Sequence, residues 1–237
     1  MTEKPNDFAP NAEVYDAGYY GAMYRPHWFL RNPRKYKERD DALLRLVRPT
    51  PELRVLELGS ARGDTAFFLA PHVKEVVGID AAEVAVAISR EEAEKRGIGN
   101  VRFETADARD LSKFTKQSFD VVLLADFVEH VLDDVLLPAL TESRRVLRPG
   151  GALAIYTPNL IHWAELLKAV VPGLQQKDHI AVRSAAAVVE RVSKAGFSLD
   201  ELFFTPSPYP VFGNLDALFP KAGLCRFRTC LRALRPV

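Results

Sequence analysis

The sequence predicts an α/β fold, a doubly wound and mostly parallel sheet in a single domain. Three observations carry that prediction. Short apolar runs recur along the chain with amphipathic segments between them. Most of these runs are nearly continuous Val, Leu and Ile rather than alternating, the mark of strands covered on both faces. Residues 55–64, Val-Leu-Glu-Leu-Gly-Ser-Ala-Arg-Gly-Asp, join one such run to a helix through a turn of small residues.

The elements follow in order. An aromatic leader (Tyr15, Tyr19, Tyr20, Tyr24, His27, Trp28, Phe29) precedes an amphipathic helix at Tyr36–Arg48. That helix turns Leu43, Leu44, Leu46 and Val47 inward and ends at Pro49-Thr50-Pro51, so residues 1–50 read as an N-terminal helical cap. Strand Leu53–Leu58 leads through the glycine turn into helix Thr65–Ala70. Strand Glu75–Asp80, helix Ala82–Arg96 with its Gly97 stop, and strand Val101–Ala106 come next. Strand Phe119–Ala125, helix Leu136–Leu147 stopped by Pro149-Gly150-Gly151, and strand Ala152–Thr157 complete the repeat. Ile161–Val171 reads as an apolar helix broken at Pro172-Gly173. Ser184 caps a helix to Ala195, Gly196 stops it, and Phe197–Phe204 is a sixth strand. The core is therefore 51–204, with a lid insertion at about 160–183 and a tail at 205–237.

Composition narrows the function. The 237 residues are 48% apolar and 27% charged, ordinary for a globular domain. A net charge of +1 argues against binding nucleic acid by bulk charge. No apolar run approaches the ~20 residues of a membrane span, and Met1–Pro10 is too polar for a signal peptide. Cys225 and Cys230 are the only cysteines, expected to be reduced thiols rather than a disulfide framework or a zinc site. The expected compartment is the cytoplasm. Residues 221–237 carry five Lys/Arg and no acid, which suggests a solvated last strand with basic edges or weak peripheral contact with an anionic membrane.

The turn at Gly59 and Gly63 points to a nucleotide-type cofactor, since glycine there lets a ligand approach the main chain. Dinucleotide enzymes and methyltransferases both use this architecture. The dinucleotide G-x-G-x-x-G spacing fails, because Ala61 stands between Gly59 and Gly63. Asp80 closes the second strand where an acid can hold both ribose hydroxyls. Asp107, after the third strand, can accept from an adenine amine while the backbone N–H of Ala108 donates to the ring. Phe119-Asp120-Val121-Val122 and Leu147-Arg148-Pro149-Gly150-Gly151 extend the series.

With these motifs in order, the chain resembles the class I methyltransferases dependent on S-adenosylmethionine, over about residues 50–160. The resemblance implies a seven-stranded sheet with a final antiparallel strand within Gly223–Leu234, and S-adenosylmethionine as cofactor. Carried across, Glu57, Gly59 and Gly63 line the methionine end, Asp80 the ribose, and Asp107 and Ala108 the adenine, with Ala125 and Asp126 beside the sulfonium. Relatives often have Gly where Ala61 stands, and the Ala61 methyl should narrow the turn rather than abolish binding.

Asp126-Phe127-Val128-Glu129-His130-Val131 is similar to the matching step of quinone-biosynthesis methyltransferases. Some of those hold a divalent ion with two acids and a histidine. Asp126, Glu129 and His130 match in type, but the expectation here is no metal. The candidate general bases are His130, His162 and His179, because a hydroxyl acceptor must lose a proton. The expected function is methyl transfer to a small molecule, most readily at oxygen. A non-catalytic cofactor-binding scaffold is the alternative, and a nicotinamide oxidoreductase is disfavoured by the glycine spacing. No Asn-Pro-Pro-Tyr step follows the fourth strand and neither cysteine lies on a core loop, so nucleic-acid acceptors are not expected.

Overall fold

The computed structural model describes residues 33–162, 165–166, 178–206 and 228–236. Its centre is a seven-stranded sheet in the order β3-β2-β1-β4-β5-β7-β6. The strands are β1 Arg54–Leu58, β2 Glu75–Asp80, β3 Val101–Thr105, β4 Phe119–Ala125, β5 Leu147–Pro158, β6 Ser198–Thr205 and β7 Arg228–Leu234. β1 to β5 pair in parallel, and β7 runs antiparallel to both β5 and β6. The helices are α1 Pro33–Val47, α2 Asp64–Leu69, α3 Glu83–Arg96, α4 Asp133–Val146 and α5 Ala185–Lys194.

Each face of the sheet is covered by its own helices, as continuous apolar strands require. On one face Leu43, Leu46, Phe67 and Val86 of α1, α2 and α3 pack on Val55, Val76, Val121 and Leu123. On the other Leu136, Leu140, Val188 and Val192 of α4 and α5 pack on Leu56, Val77, Val122 and Ile155. The strand order reverses direction between β1 and β4, and in such sheets the crevice beyond the strand ends at that point is where ligands bind.

Most expected elements lie within a residue or two of their observed ends. α4 starts at Asp133 rather than Leu136, its first turn holding Asp133 and Asp134 against the positive helix end, and it tolerates Pro138 inside. Pro149-Gly150-Gly151 is not a loop after the helix but a kinked stretch of β5. Gly150 has φ +73°, and the β4–β5 register shifts between Phe119 and Val121. On α1, Ala42 joins the fully buried stripe, whereas Leu44 is only half-buried.

The tail needs a larger correction. A solvated last strand is expected, but β7 lies between β5 and β6 with Thr229, Cys230, Leu231 and Ala233 buried. Its apolar residues are used inside the sheet, so the basic residues of 228–236 do not form an exposed amphipathic surface. The aromatic leader, most of the apolar segment after β5, and residues Leu224, Cys225 and Phe227 lie outside the described residues.

Candidate cofactor and acceptor site

The turn after β1 is built around residues held at positive φ. Gly59 has φ +72° and Gly63 +84°, and a Cβ on Gly59 would lie 2.6 Å from the Phe127 ring. Ala61, the departure from glycine, sits at φ +45° and still closes the turn. The backbone N–H of Ala61 donates to Asp80 Oδ2 at 2.9 Å, and that of Ala82 donates to Oδ1 at 2.9 Å. Asp80 thus fastens the glycine turn to the end of β2. Burial raises its pKa, and these backbone donors oppose the shift.

Glu57 lies beneath this turn at 2% exposure. Thr65 bonds its carboxyl, and its Oε2 has no hydrogen-bond partner. Burial raises its pKa to about 8, against the pull of the nearby Arg39 guanidinium. A buried acceptor without a donor, at the turn where a cofactor's methionine end would lie, fits an ammonium group. The raised pKa also makes a stability prediction. The folded state keeps a proton that the unfolded state releases, so Glu57's contribution is complete below its unfolded pKa and is lost as pH rises through about 8. The wild-type melting temperature should therefore fall relative to Glu57→Gln between about pH 5 and pH 9. Melting curves of the two proteins that stay parallel across that range would contradict it.

Asp107 follows β3, and both its oxygens accept from Arg109, at 2.8 Å from the backbone N–H and 2.7 Å from Nη2. Ala108 beside it is buried.

Asp126, just past β4, is held at φ +53° between two arginines from outside the strand repeat. Arg39 Nε of α1 donates to Oδ2 at 3.3 Å, and Arg228 Nη1 of β7 donates to Oδ1 at 2.9 Å. These arginines hold its carboxyl below the usual range although burial opposes them. Arg39 Nη2 also donates to Thr65 Oγ1 at 2.9 Å, giving a chain from α1 through Thr65 to Glu57. Sequence reasoning missed both arginines. Arg39 was visible, since it shares the helical stripe of Ala42, Leu43 and Leu46.

This geometry does not fit a divalent ion on Asp126, Glu129 and His130, because both oxygens of Asp126 already accept from guanidinium groups. A different set comes together: Glu129, His130 and His179 each bring a ligand atom within 4.8 Å of the others. Glu129 is 1% exposed, accepts from Thr157 Oγ1 at 2.9 Å, and has its pKa raised to about 8 by burial and by Asp126.

Of the candidate bases, His130 and His179 meet edge to face with ring centres 5.0 Å apart. His130 Nδ1 lies 2.9 Å from the Asp178 carbonyl, which assigns the N–H to Nδ1 and leaves Nε2 as an acceptor. The strap that carries His179 is stitched down by Ala181 N donating to Glu129 O at 2.9 Å. Arg183 adds bonds to the Val128 and Val131 carbonyls and to Asp133. His162 is fully buried in the turn after β5 and is not part of the Glu129–His130–His179 group.

Comparisons with known proteins agree with this architecture. Residues 55–151 match the family described as methyltransferase domain. The chain is 30% identical over 146 residues to an uncharacterized methyltransferase, YcgJ, of Bacillus subtilis (strain 168), covering 61% of this chain and 51% of that protein. It is 36% identical over 111 residues to a ubiquinone biosynthesis O-methyltransferase of Cereibacter sphaeroides, covering 47% of this chain and 43% of that protein. The chain spans about half the length of the curated relatives it matches. A solved S-adenosylmethionine-dependent methyltransferase from Aquifex aeolicus superposes with TM-score 0.66 at 18% identity, covering 92% of this chain and 98% of that one. The sheet order and the domain match agree: residues 55–151 are similar to the family described as methyltransferase domain, and they lie on a fold shared with solved methyltransferases.

Proposed function

We propose that this protein transfers the methyl group of S-adenosylmethionine to a hydroxyl oxygen of a small-molecule acceptor. The observation that carries this reading is the cluster of side chains at the β1–β4 strand ends. There the unpartnered Glu57 oxygen and the Arg39 guanidinium lie beside the glycine turn, matched to the ammonium and carboxylate of an amino acid. In this reading Gly59 and Gly63 give the cofactor access to the main chain, Asp80 holds the ribose, and Asp107 and Ala108 face the adenine. Ala125 and Asp126 border the sulfonium.

The reaction is an in-line displacement in which the cofactor supplies the reactive methyl and the protein supplies alignment. The acceptor hydroxyl gives its proton to His130 Nε2 or to its neighbour His179. The oxygen's electron pair forms the new bond to the methyl carbon as the carbon–sulfur bond breaks, leaving S-adenosylhomocysteine. The described turn at 160–162, with His162, and the strap at 178–183, with His179, border the acceptor in this reading. Leu132, Leu160, Ile161 and Ile180 are exposed near these histidines in sequence, which favours an acceptor with an apolar body. The hydroxyl preference is supported by the histidine pair and by the quinone O-methyltransferase relative. We place the enzyme in the cytoplasm; among the described residues no helix is long and apolar enough to cross a membrane.

Calorimetric titration with S-adenosylhomocysteine, with NADH in parallel, tests the cofactor. The expected result is micromolar binding of the homocysteine ligand alone, weakened about tenfold or more in Asp80→Ala, since the carboxylate loses charge-assisted bonds to ribose and turn. Binding with no turnover across a library of hydroxylated acceptors would favour the scaffold reading. Unchanged affinity in Asp80→Ala would remove that residue from the site.

A further inference from the structure

Where related enzymes hold a divalent ion beside the acceptor, the ion supplies a fixed positive charge that steadies a developing oxyanion. In this chain that region contains a guanidinium. Arg228 opens β7, in register with Pro158 of β5 and Thr205 of β6, so its backbone is fixed by strands on both sides. Its side chain is only 13% exposed and lies over the Tyr156 ring at 5.3 Å. Nη1 reaches Asp126 Oδ1 at 2.9 Å and Glu129 Oε1 at 3.5 Å, spanning the two acids that would otherwise offer a metal their oxygens.

We propose that the Arg228 guanidinium takes the place of a divalent ion and is the built-in cation of the acceptor site. The inference rests on the hydroxyl-transfer reading above. Asp126 is one carboxylate shared by two guanidinium groups, Arg39 and Arg228, and Glu129 and Glu165 also face Arg228. With Arg39 directed to the cofactor carboxylate, Arg228 is the cation that remains beside the acceptor oxygen as its proton leaves, where opposite charge lowers the barrier. An ion on Glu129, His130 and His179 would have to share Glu129 with Arg228, placing like charges together in a dry site.

The test is a titration of the full chain with Mn²⁺, followed by electron paramagnetic resonance, with and without S-adenosylhomocysteine. Wild-type protein is expected to leave Mn²⁺ free throughout the micromolar range. Arg228→Gln should gain affinity for one ion by about tenfold or more as the acids are released, and adding Asp126→Asn should abolish the gain. Arg228→Lys, which keeps the charge, should behave as wild type. Melting curves establish that each variant is folded. Tight stoichiometric binding by wild type that is lost in His179→Ala would overturn the proposal and put an ion on the Glu129–His130–His179 group. A folded Arg228→Gln that gains nothing would overturn it too. Failure of wild type to bind S-adenosylhomocysteine would sink the functional reading separately, since the Mn²⁺ comparison does not depend on it.

Discussion

Replacing Arg39 with Met is expected to weaken S-adenosylhomocysteine binding by about 30- to 150-fold, the loss of a buried charge-assisted contact. Affinity for methylthioadenosine should stay within about threefold. That ligand keeps the adenosine and the thioether but has no amino-acid carboxylate, so it probes the same pocket without the group Arg39 is expected to bind. The guanidinium is well placed for the role, because Thr65 and Asp126 hold it on either side and leave further donors of its planar fork for a carboxylate. Arg39→Lys should recover part of the loss, since it restores charge without the fork. Equal weakening of both ligands would mean that Arg39 only supports the turn, and the carboxylate assignment would be withdrawn.

The second large effect is on stability. Gly63→Ala should cost about 1–2 kcal/mol for forcing a side chain into the left-handed region. Its Cβ would also lie 2.5 Å from Phe103 Cζ and 3.0 Å from Phe67 Cε2. Those rings already meet edge to face at 5.5 Å and cannot both retreat, which adds about 1–3 kcal/mol of overpacking. Together this lowers the melting temperature by roughly 5–15 °C in a domain of this size. Gly97→Ala is the control: its φ is +64°, but nothing lies within 4 Å of the added carbon, so only the conformational cost remains. Equal losses in the two variants would show that the Phe103 contact contributes nothing.

How far the sequence could be read depended on whether the information was local. Glu75–Asp80 and Phe119–Ala125 are identified to the residue because a strand buried on both faces is written as a nearly continuous apolar run. The glycine turn and Asp80 are equally local, and the structure ties them together by one hydrogen bond. β7 was legible as a strand but not as an interior one. Arg228 and Arg232 suggest solvent when read alone, and only the pairing with β5 and β6 and the acids Asp126 and Asp200 explains their burial. His130 and His179 were each legible as candidate bases, but not as a pair, since they meet through a strap that returns from beyond β5. Arg39 is a different kind of miss. Its place on the buried stripe of α1 was readable, but a search for apolar residues alone passes over it.

The position of β7 also affects the order of assembly. Strands β3, β2, β1 and β4 come from residues 54–125 and can pair as they are made, whereas β5 and β6 both wait for a strand much later in the sequence. Until it arrives, two strand edges stand open together, a state prone to pairing with other chains. Arg228 reaches Asp126 in the same step that closes those edges. A chain stopped short of β7 would expose a sticky sheet edge and leave Asp126 without its Arg228 partner.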